Sequence, residues 1–233
     1  DKARDSQLEC LPHRDVLTGL PNRAQFARLL DDAVARGKAN SCGLAVMLLN
    51  IDRFKDVNDS YGHSTGDQVL KHIAAKVQGA LRGEDIIGRL AGDELCVVIE
   101  NLEGEEDAVE VAERLMAAAA RPWTTPDGLS VVVSVSVGIC LYPDHALSTE
   151  DLMQGAHAAV YGAKGRGSNA WCFFREDMTQ SARERLALEA RLRQALELGH
   201  MRLYYQPQID LCTGQLMGAE ALVRWLDPVE GLI

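Results

Sequence analysis

The residues with the clearest chemical potential in this sequence are two adjacent acids, Asp93 and Glu94, set after Gly92 between two short apolar runs, Ile86 to Leu90 and Leu95 to Ile99. Apolar runs on either side of Ala91-Gly92-Asp93-Glu94 signal a β-hairpin with the acids at its tip. A glycine there lets backbone and ligand approach closely. Carboxylate oxygens suit a hard divalent cation, and such a cation bridges phosphates and neutralises the charge that develops in phosphoryl transfer. Paired acids in a turn are also ordinary surface decoration, and the pair alone does not decide between the two readings.

A second segment bears on that choice. Asn50 to Leu70 (NIDRFKDVNDSYGHSTGDQVL) carries acids at Asp52, Asp56, Asp59 and Asp67, a cation at Lys55, an amide at Asn58 and turn residues at Gly62, Ser64 and Gly66. A loop with open backbone N–H groups, a lysine for phosphate and an Asn/Asp pair for a purine edge would form a nucleotide pocket. A polar loop that ends with Asp67 capping the next helix is the plainer alternative.

The elements that must position these residues follow from periodicity. Asp15 to Arg23 (DVLTGLPNR) reads as a loop leading into a helix with Phe26, Leu29, Leu30 and Ala33 on one face. Leu44 to Ile51 reads as a buried strand, and Val69, Leu70, Ile73 and Val77 mark a helix after the polar loop. Further along come a helix over Glu105 to Arg121, a long strand from Val131 to Leu141, a helix over Thr149 to Lys164 and a short strand near Trp171 to Phe174. Helices alternating with strands around a central hairpin predict an α+β fold, a sheet of ferredoxin-like or polymerase-palm type wrapped by helices.

Beyond residue 175 the pattern changes. A charged helical stretch, Glu176 to Gly199, has Met178, Ala182, Leu186, Leu192 and Leu196 as its apolar stripe, and serves equally as a connecting helix or as the last packed helix of the first domain. Leu203 to Ile209, a Thr213-Gly214 turn and Leu216 to Trp225 then predict a hairpin that opens a second domain. The domains are thus expected at 1–175, 176–200 (connecting helix) and 201–233. With Asp at position 1 and an apolar Gly231-Leu232-Ile233 at the other end, the chain reads as part of a longer protein.

Composition narrows the function classes. A formal net charge of −10 argues against a general nucleic-acid binder, whose affinity rests on Lys and Arg neutralising phosphates. The six cysteines (Cys10, Cys42, Cys96, Cys140, Cys172, Cys212) are widely spaced without a Cys-x-x-Cys pair, so they read as small buried hydrophobes in a reducing compartment. No apolar stretch reaches the roughly 20 residues a membrane span needs. A cytoplasmic location follows, with any membrane anchor lying upstream in a parent protein.

The joint pattern resembles the GGDEF family of diguanylate cyclases. Asp15-Val16-Leu17-Thr18-Gly19-Leu20-Pro21-Asn22-Arg23, Ile51-Asp52-Arg53-Phe54-Lys55 with Asn58-Asp59, Gly62-His63 and Gly66-Asp67, the signature Ala91 to Leu95, and Tyr161-Gly162-Ala163-Lys164 with Asn169 stand in that family's order over about Asp15 to Phe174. The resemblance implies an adenylyl-cyclase-palm-like sheet, condensation of two GTP into cyclic di-GMP by a homodimer, and Mg2+ (or Mn2+). It implies that Asp93, the Ile51 carbonyl and the Asn50 position ligand the metal, and that Glu94 helps activate or hold the attacking 3′-hydroxyl. Asn58 and Asp67 would contact guanine, and Phe54, Lys55 and Lys164 the phosphates.

Several positions depart from that pattern. Asn50 stands where the family usually has a metal-binding Asp, and an amide brings oxygen without negative charge. Ser168 stands where a second phosphate-binding Arg is expected, with Arg166 close by, and Ala91 and Leu95 replace the first Gly and final Phe of the signature. Weakened metal and triphosphate binding is the expectation, which leaves a weak cyclase and a non-catalytic GTP-binding regulator of an adjacent phosphodiesterase as the competing functions. Arg82 and Asp85 fall at the spacing of the family's inhibitory cyclic di-GMP site, although such a pair is also an ordinary solvated one. Finally, Tyr204-Tyr205-Gln206-Pro207 and Gly218 to Trp225 resemble the opening of an EAL phosphodiesterase domain, in which Glu220 would ligand a metal and Arg224 would contact cyclic di-GMP. Only about 30 residues of that resemblance are present, so hydrolysis is not expected of this stretch alone.

Overall fold

The computed structural model describes residues 13–125, 128, 130–228 and 231–232; Cys10 and the side chains of Ala182 and Leu186 lie outside the described set. The chain divides into two compact units, Asp1–Thr179 and Gln180–Ile233.

In the first unit, α1 (Arg23–Asn40) leads into β1 (Gly43–Ile51), followed by α2 (Phe54–Tyr61), α3 (His63–Gly79), β2 (Ile86–Ala91), β3 (Glu94–Leu102) and α4 (Glu105–Ala119). A two-stranded ribbon, β4 (Trp123–Thr124) and β5 (Ser130–Val131), precedes β6 (Val135–Tyr142), α5 (Thr149–Gly165) and β7 (Trp171–Phe173). The main sheet has the order β2-β3-β1-β6-β7, with β1 antiparallel to both neighbours and β7 parallel to β6.

Strand β1 is central and buried from Leu44 to Ile51, because the sheet is covered on both faces. Ala45, Met47, Leu49 and Ile51 pack with Val69, Leu70 and Ile73 of α3 and with Val111 and Leu115 of α4. The alternate residues Leu44, Val46 and Leu48 pack with Phe26 and Leu30 of α1 and with Leu152, Ala156 and Val160 of α5. Two-sided covering explains why β1 reads as a continuous apolar run rather than an alternating one. Each fully buried Leu or Ile contributes roughly 1.5–3 kcal/mol of transfer free energy, so β1 anchors the fold. By alternation, Asn50 falls on the α1/α5 side at the strand's end.

The sheet, its hairpin and the helices around it match the sequence expectation. Three details differ. The polar stretch expected as a loop is largely helical: α2 and α3 meet at Gly62 (φ 80°), and Asp67 lies inside α3 rather than capping it. Periodicity missed α2 because in its eight residues only Val57 is buried. The expected single strand from Val131 to Leu141 is broken at 132–134, where Val132 is exposed and Ser134 is pulled onto Asp52 through its carbonyl and its hydroxyl. Cys96, Cys140 and Cys172 are buried as expected, whereas Cys212 is exposed and Cys42 is half-buried. Burial pushes the Cys140 thiol up to about 12.

The second unit holds most of α6 (Glu176–Glu197) and the antiparallel strands β8 (Met201–Ile209), β9 (Leu216–Asp227) and β10 (Gly231–Leu232). Of the expected α6 stripe, Met178 is half-buried, and the C-terminal half of the helix buries a different face. Leu192 and Leu196 are exposed, while Ala195 is buried and Arg191 lies over the Trp225 ring and donates to Asp227 at 2.7 Å. An arginine stem covering an aromatic ring accounts for a face that an apolar count overlooks. The hairpin itself forms as expected, with Asp210 accepting the Thr213 and Cys212 N–H groups in its turn.

Candidate active site

The site is assembled where β1 ends beside the β2–β3 hairpin. Ala91 pairs with Glu94, which leaves Gly92 (φ 49°) and Asp93 as a tight tip. A positive φ costs residues with a Cβ more than glycine, so glycine is favoured there. Across the ladder, Asn50 pairs with Glu94 on one side and with Ser136 on the other. The Ile51 N–H donates to the Asp93 carbonyl at 3.3 Å. Asn50, Ile51, Asp93 and Glu94, distant in sequence, thus converge.

Lys164, in the last turn of α5, joins them by donating from Nζ to Asn50 Oδ1 at 2.6 Å. The ammonium makes this a charge-assisted bond. On the same side, His157 Nδ1 lies 3.9 Å from Glu94 Oε1, and both side chains line an open groove of about 830 Å³ between α1, α5 and the hairpin. Sequence reasoning passed over His157, since a single histidine on a helix carries no spacing signal.

Two residues that matter for positioning were also passed over. Arg89 donates from Nε and Nη2 to the Gly92 carbonyl at 3.1 and 2.7 Å, and from Nη1 to both Asp15 carboxylate oxygens at 3.0 Å. Asp15 in turn accepts the Thr18 N–H and hydroxyl. Burial works against the Asp15 carboxylate, but the Thr18 and Arg89 hydrogen bonds outweigh it and hold its pKa below the ordinary 3.8. The DVLTGLPNR loop is therefore the brace behind the signature tip. Asp52 is the other. Buried at 6% exposure, it accepts the Ser134 and Ser136 hydroxyls at 2.6 and 2.7 Å and the Asn169 N–H at 2.9 Å. Two serines alternating with valines in VVVSVSVG were the available signal.

The remaining candidates fall in three places. Phe54 and Lys55 open α2, and Asn58 lies against the first turns of α3: a Cβ at Gly66 would collide with Asn58 Oδ1. Glycine at 66 thus makes room for the Asn58 amide one residue before the exposed Asp67. Arg82 and Asp85 form the turn before β2, the Asp85 carboxylate accepting the Arg82 N–H at 2.7 Å. Glu220 and Arg224 lie in β9 of the second unit, opposite Gln206 and Arg202.

The carboxylates left to a divalent cation at the end of β1 are those of Asp93 and Glu94, the latter 3.9 Å from His157. Asn50 offers one oxygen, already held by Lys164, and every oxygen of Asp52 is engaged by hydroxyl or N–H donors. Among the described residues no group of three or more His, Cys, Asp or Glu side chains could hold a metal ion.

The comparisons with known proteins decide the family. Residues 12–170 match the model described as "Diguanylate cyclase, GGDEF domain". The chain belongs to the GGDEF family. Residues 189–233 match the EAL domain model, so the GGDEF domain is followed by the beginning of an EAL match. Among curated relatives, the bifunctional diguanylate cyclase/cyclic di-GMP phosphodiesterase MucR of Pseudomonas aeruginosa is 40% identical over 94% of this chain and 32% of its own length. The cyclic di-GMP phosphodiesterase PdeR of Escherichia coli is 36% identical over 100% of this chain and 34% of its own. The chain thus spans about a third of the length of such relatives.

Solved GGDEF structures agree. The GGDEF domain of TpbB (YfiN) from Pseudomonas aeruginosa superposes with a TM-score of 0.71 at 36% identity, covering 73% of this chain and 99% of that one. The coiled coil and GGDEF domain of DgcB from Caulobacter crescentus, solved in complex with c-di-GMP, gives a TM-score of 0.68 at 25% identity over 74% and 91%. The sequence resemblance, the central-sheet fold and the family are therefore the same answer reached three ways. No helix among the described residues is long and apolar enough to cross a membrane.

Proposed function

We propose that this chain is part of a cyclic di-GMP signalling protein and that its GGDEF domain binds GTP and condenses two GTP into cyclic di-GMP at a low rate. The observation that carries this reading is the convergence at the end of β1, where Glu94 pairs with Asn50 and the Asp93 carbonyl is fixed on the Ile51 N–H. Asn58 and Asp67 would hold guanine, while Phe54, Lys55 and Lys164 would position the triphosphate. Glu94 would accept the proton of the 3′-hydroxyl from the GTP of a second subunit. That oxygen then bonds to the α-phosphorus as pyrophosphate leaves, and repetition from the other side closes the ring. The cation that the family uses, Mg2+ or Mn2+, would be held by Asp93 with the Ile51 carbonyl and Asn50, and would supply charge neutralisation to the triphosphate.

One observation favours a second reading, a non-catalytic GTP-binding regulator of the EAL domain: Lys164 already holds the single oxygen of Asn50. The test incubates the protein, extended through its full EAL domain, with GTP and magnesium and follows cyclic di-GMP by chromatography. Synthesis supports the cyclase. GTP binding without any product rejects it in favour of the regulator. We also assign Arg82 and Asp85 to product feedback, with Arg82→Ala expected to abolish cyclic di-GMP binding; unchanged affinity would reject that assignment.

A further inference from the structure

Asn50 and Glu94 are directly opposed across the β1–β3 ladder, so their side chains share one face of the sheet. Helix α5 meets both of them. Lys164 reaches Asn50, and His157, about two turns and thus roughly 10 Å earlier along the helix, approaches Glu94. The ammonium is committed to Asn50, and the imidazole is the group that Glu94 faces.

Their spacing suits a shared ion better than a direct bond. His157 Nδ1 and Glu94 Oε1 stand 3.9 Å apart, too far for a hydrogen bond. Two ligands each roughly 2.1 Å from a cation lie about 3 Å apart when cis and about 4 Å apart when trans. Both side chains are partly exposed, at 42% and 30%, on the groove of about 830 Å³, which leaves room for phosphate oxygens to complete a coordination shell. Asp31 lines the same groove but accepts the Thr149 hydroxyl at 2.6 Å, which ties it to the start of α5. A nitrogen donor also changes which ion is held. Mg2+ takes oxygen ligands in a near-ideal octahedron, whereas imidazole suits first-row transition ions.

We infer that His157 Nδ1 and Glu94 Oε1 ligate the divalent cation of this site, and that the imidazole makes the site select Mn2+ over Mg2+. The inference rests on the cation-site reading above and adds to it a nitrogen donor and a preference. The second oxygen of Glu94 stays available to the 3′-hydroxyl.

The test is pulsed electron paramagnetic resonance of Mn2+ on the full chain, with and without GTP. The protein is made with histidine labelled in heavy nitrogen, so that backbone and nucleotide nitrogens are told apart from imidazole. Wild type should show labelled-nitrogen coupling to Mn2+, and His157→Phe should lose it. Competition between the two ions should show the Mn2+ preference falling by about tenfold or more in His157→Phe. Circular dichroism melting establishes that the variant is folded. Bound Mn2+ without labelled-nitrogen coupling in wild type overturns the inference and leaves a cation site on Asp93 standing. Coupling that survives in His157→Phe assigns the nitrogen to another histidine and overturns it as well, as does an unchanged ion preference. Absence of bound Mn2+ in both media overturns the inference and the cation-site reading together.

Discussion

Two groups of polar side chains flank the signature hairpin, and they are wired in opposite ways. One is closed. Arg89 grips Asp15 and the Gly92 carbonyl, and Asp52 gathers two hydroxyls and an N–H, so each carboxylate is satisfied by several donors from distant parts of the chain. The other is open. Among the described residues the Asn50 side chain makes one hydrogen bond, with Lys164, and Glu94 faces a groove with His157 3.9 Å away. A buried polar group costs free energy unless it is paired, so the closed group maintains the fold and the site's shape. Groups with spare donors and acceptors are those able to meet a ligand. The contrast separates residues that look alike in sequence: Asn50 and Asp52 are two positions apart on one strand end, yet only the first has its role left open.

Asp52→Ala should produce the largest effect. It leaves the Ser136 and Ser134 hydroxyls and the Asn169 N–H without their acceptor, and Ser136 is fully buried. The expected loss is about 3 kcal/mol, read as a lower denaturation midpoint at unchanged slope in urea. A loss below about 1 kcal/mol would mean that the closed group is not what braces the end of β1.

Next comes Arg89→Ala, at about 2 kcal/mol, from losing a forked pair with Asp15 and the hydrogen bonds to Gly92. This effect depends on pH. The Asp15 pKa is depressed in the folded state, so its contribution is fully present above the ordinary value of 3.8 and is lost as the pH falls through the lower folded value. The difference in melting temperature between wild type and Arg89→Ala should therefore hold steady near neutrality and shrink below pH 3.8. A difference that persists unchanged in acid would place the stabilisation in the Gly92 contacts alone.

The same contrast explains what could be read from sequence. Strands buried on both faces announce themselves as continuous apolar runs, as Leu44 to Ile51 does, and the acids at a glycine-marked hairpin tip were visible from residue type alone. Asp15-Val16-Leu17-Thr18-Gly19 was legible as a loop. Its partner was not, because Arg89 sits inside a strand run and meets Asp15 only through the tertiary fold. Lys164 and Asn50 are 114 residues apart, and no local spacing links them. Helix α2 escaped because so short a helix with one buried residue has almost no periodic signal. In sequence Asp52 is one acid among several in a polar segment, and only the positions of Ser134, Ser136 and Asn169 reveal that its oxygens are spent.

Gly66→Ala sharpens the comparison from the open side. The new methyl collides with the end of the Asn58 side chain, which can swing away, while alanine improves helix propensity by about 0.8–1 kcal/mol. Net stability should thus change by no more than about 1 kcal/mol, whereas GTP affinity should fall by about tenfold, about 1.4 kcal/mol, because Asn58 is displaced. Equal affinity in the variant would remove Asn58 from the guanine contacts.

The smallest expected effect is the most discriminating. Lys164 is exposed apart from its contact with Asn50, and a single ion–dipole contact at a surface lysine is weak once solvent screening and side-chain entropy are counted. Lys164→Gln should therefore shift folding stability by less than about 0.5 kcal/mol in urea, even though the same variant is expected to lose much of its nucleotide affinity. The glutamine amide keeps a polar group but carries no charge and is one bond shorter, so a loss of binding reports the Lys164 ammonium together with its reach. A stability loss comparable to that of Arg89→Ala would show that Lys164 belongs to the closed group, and that the open end of the site is narrower than Asn50, Asp93 and Glu94 together.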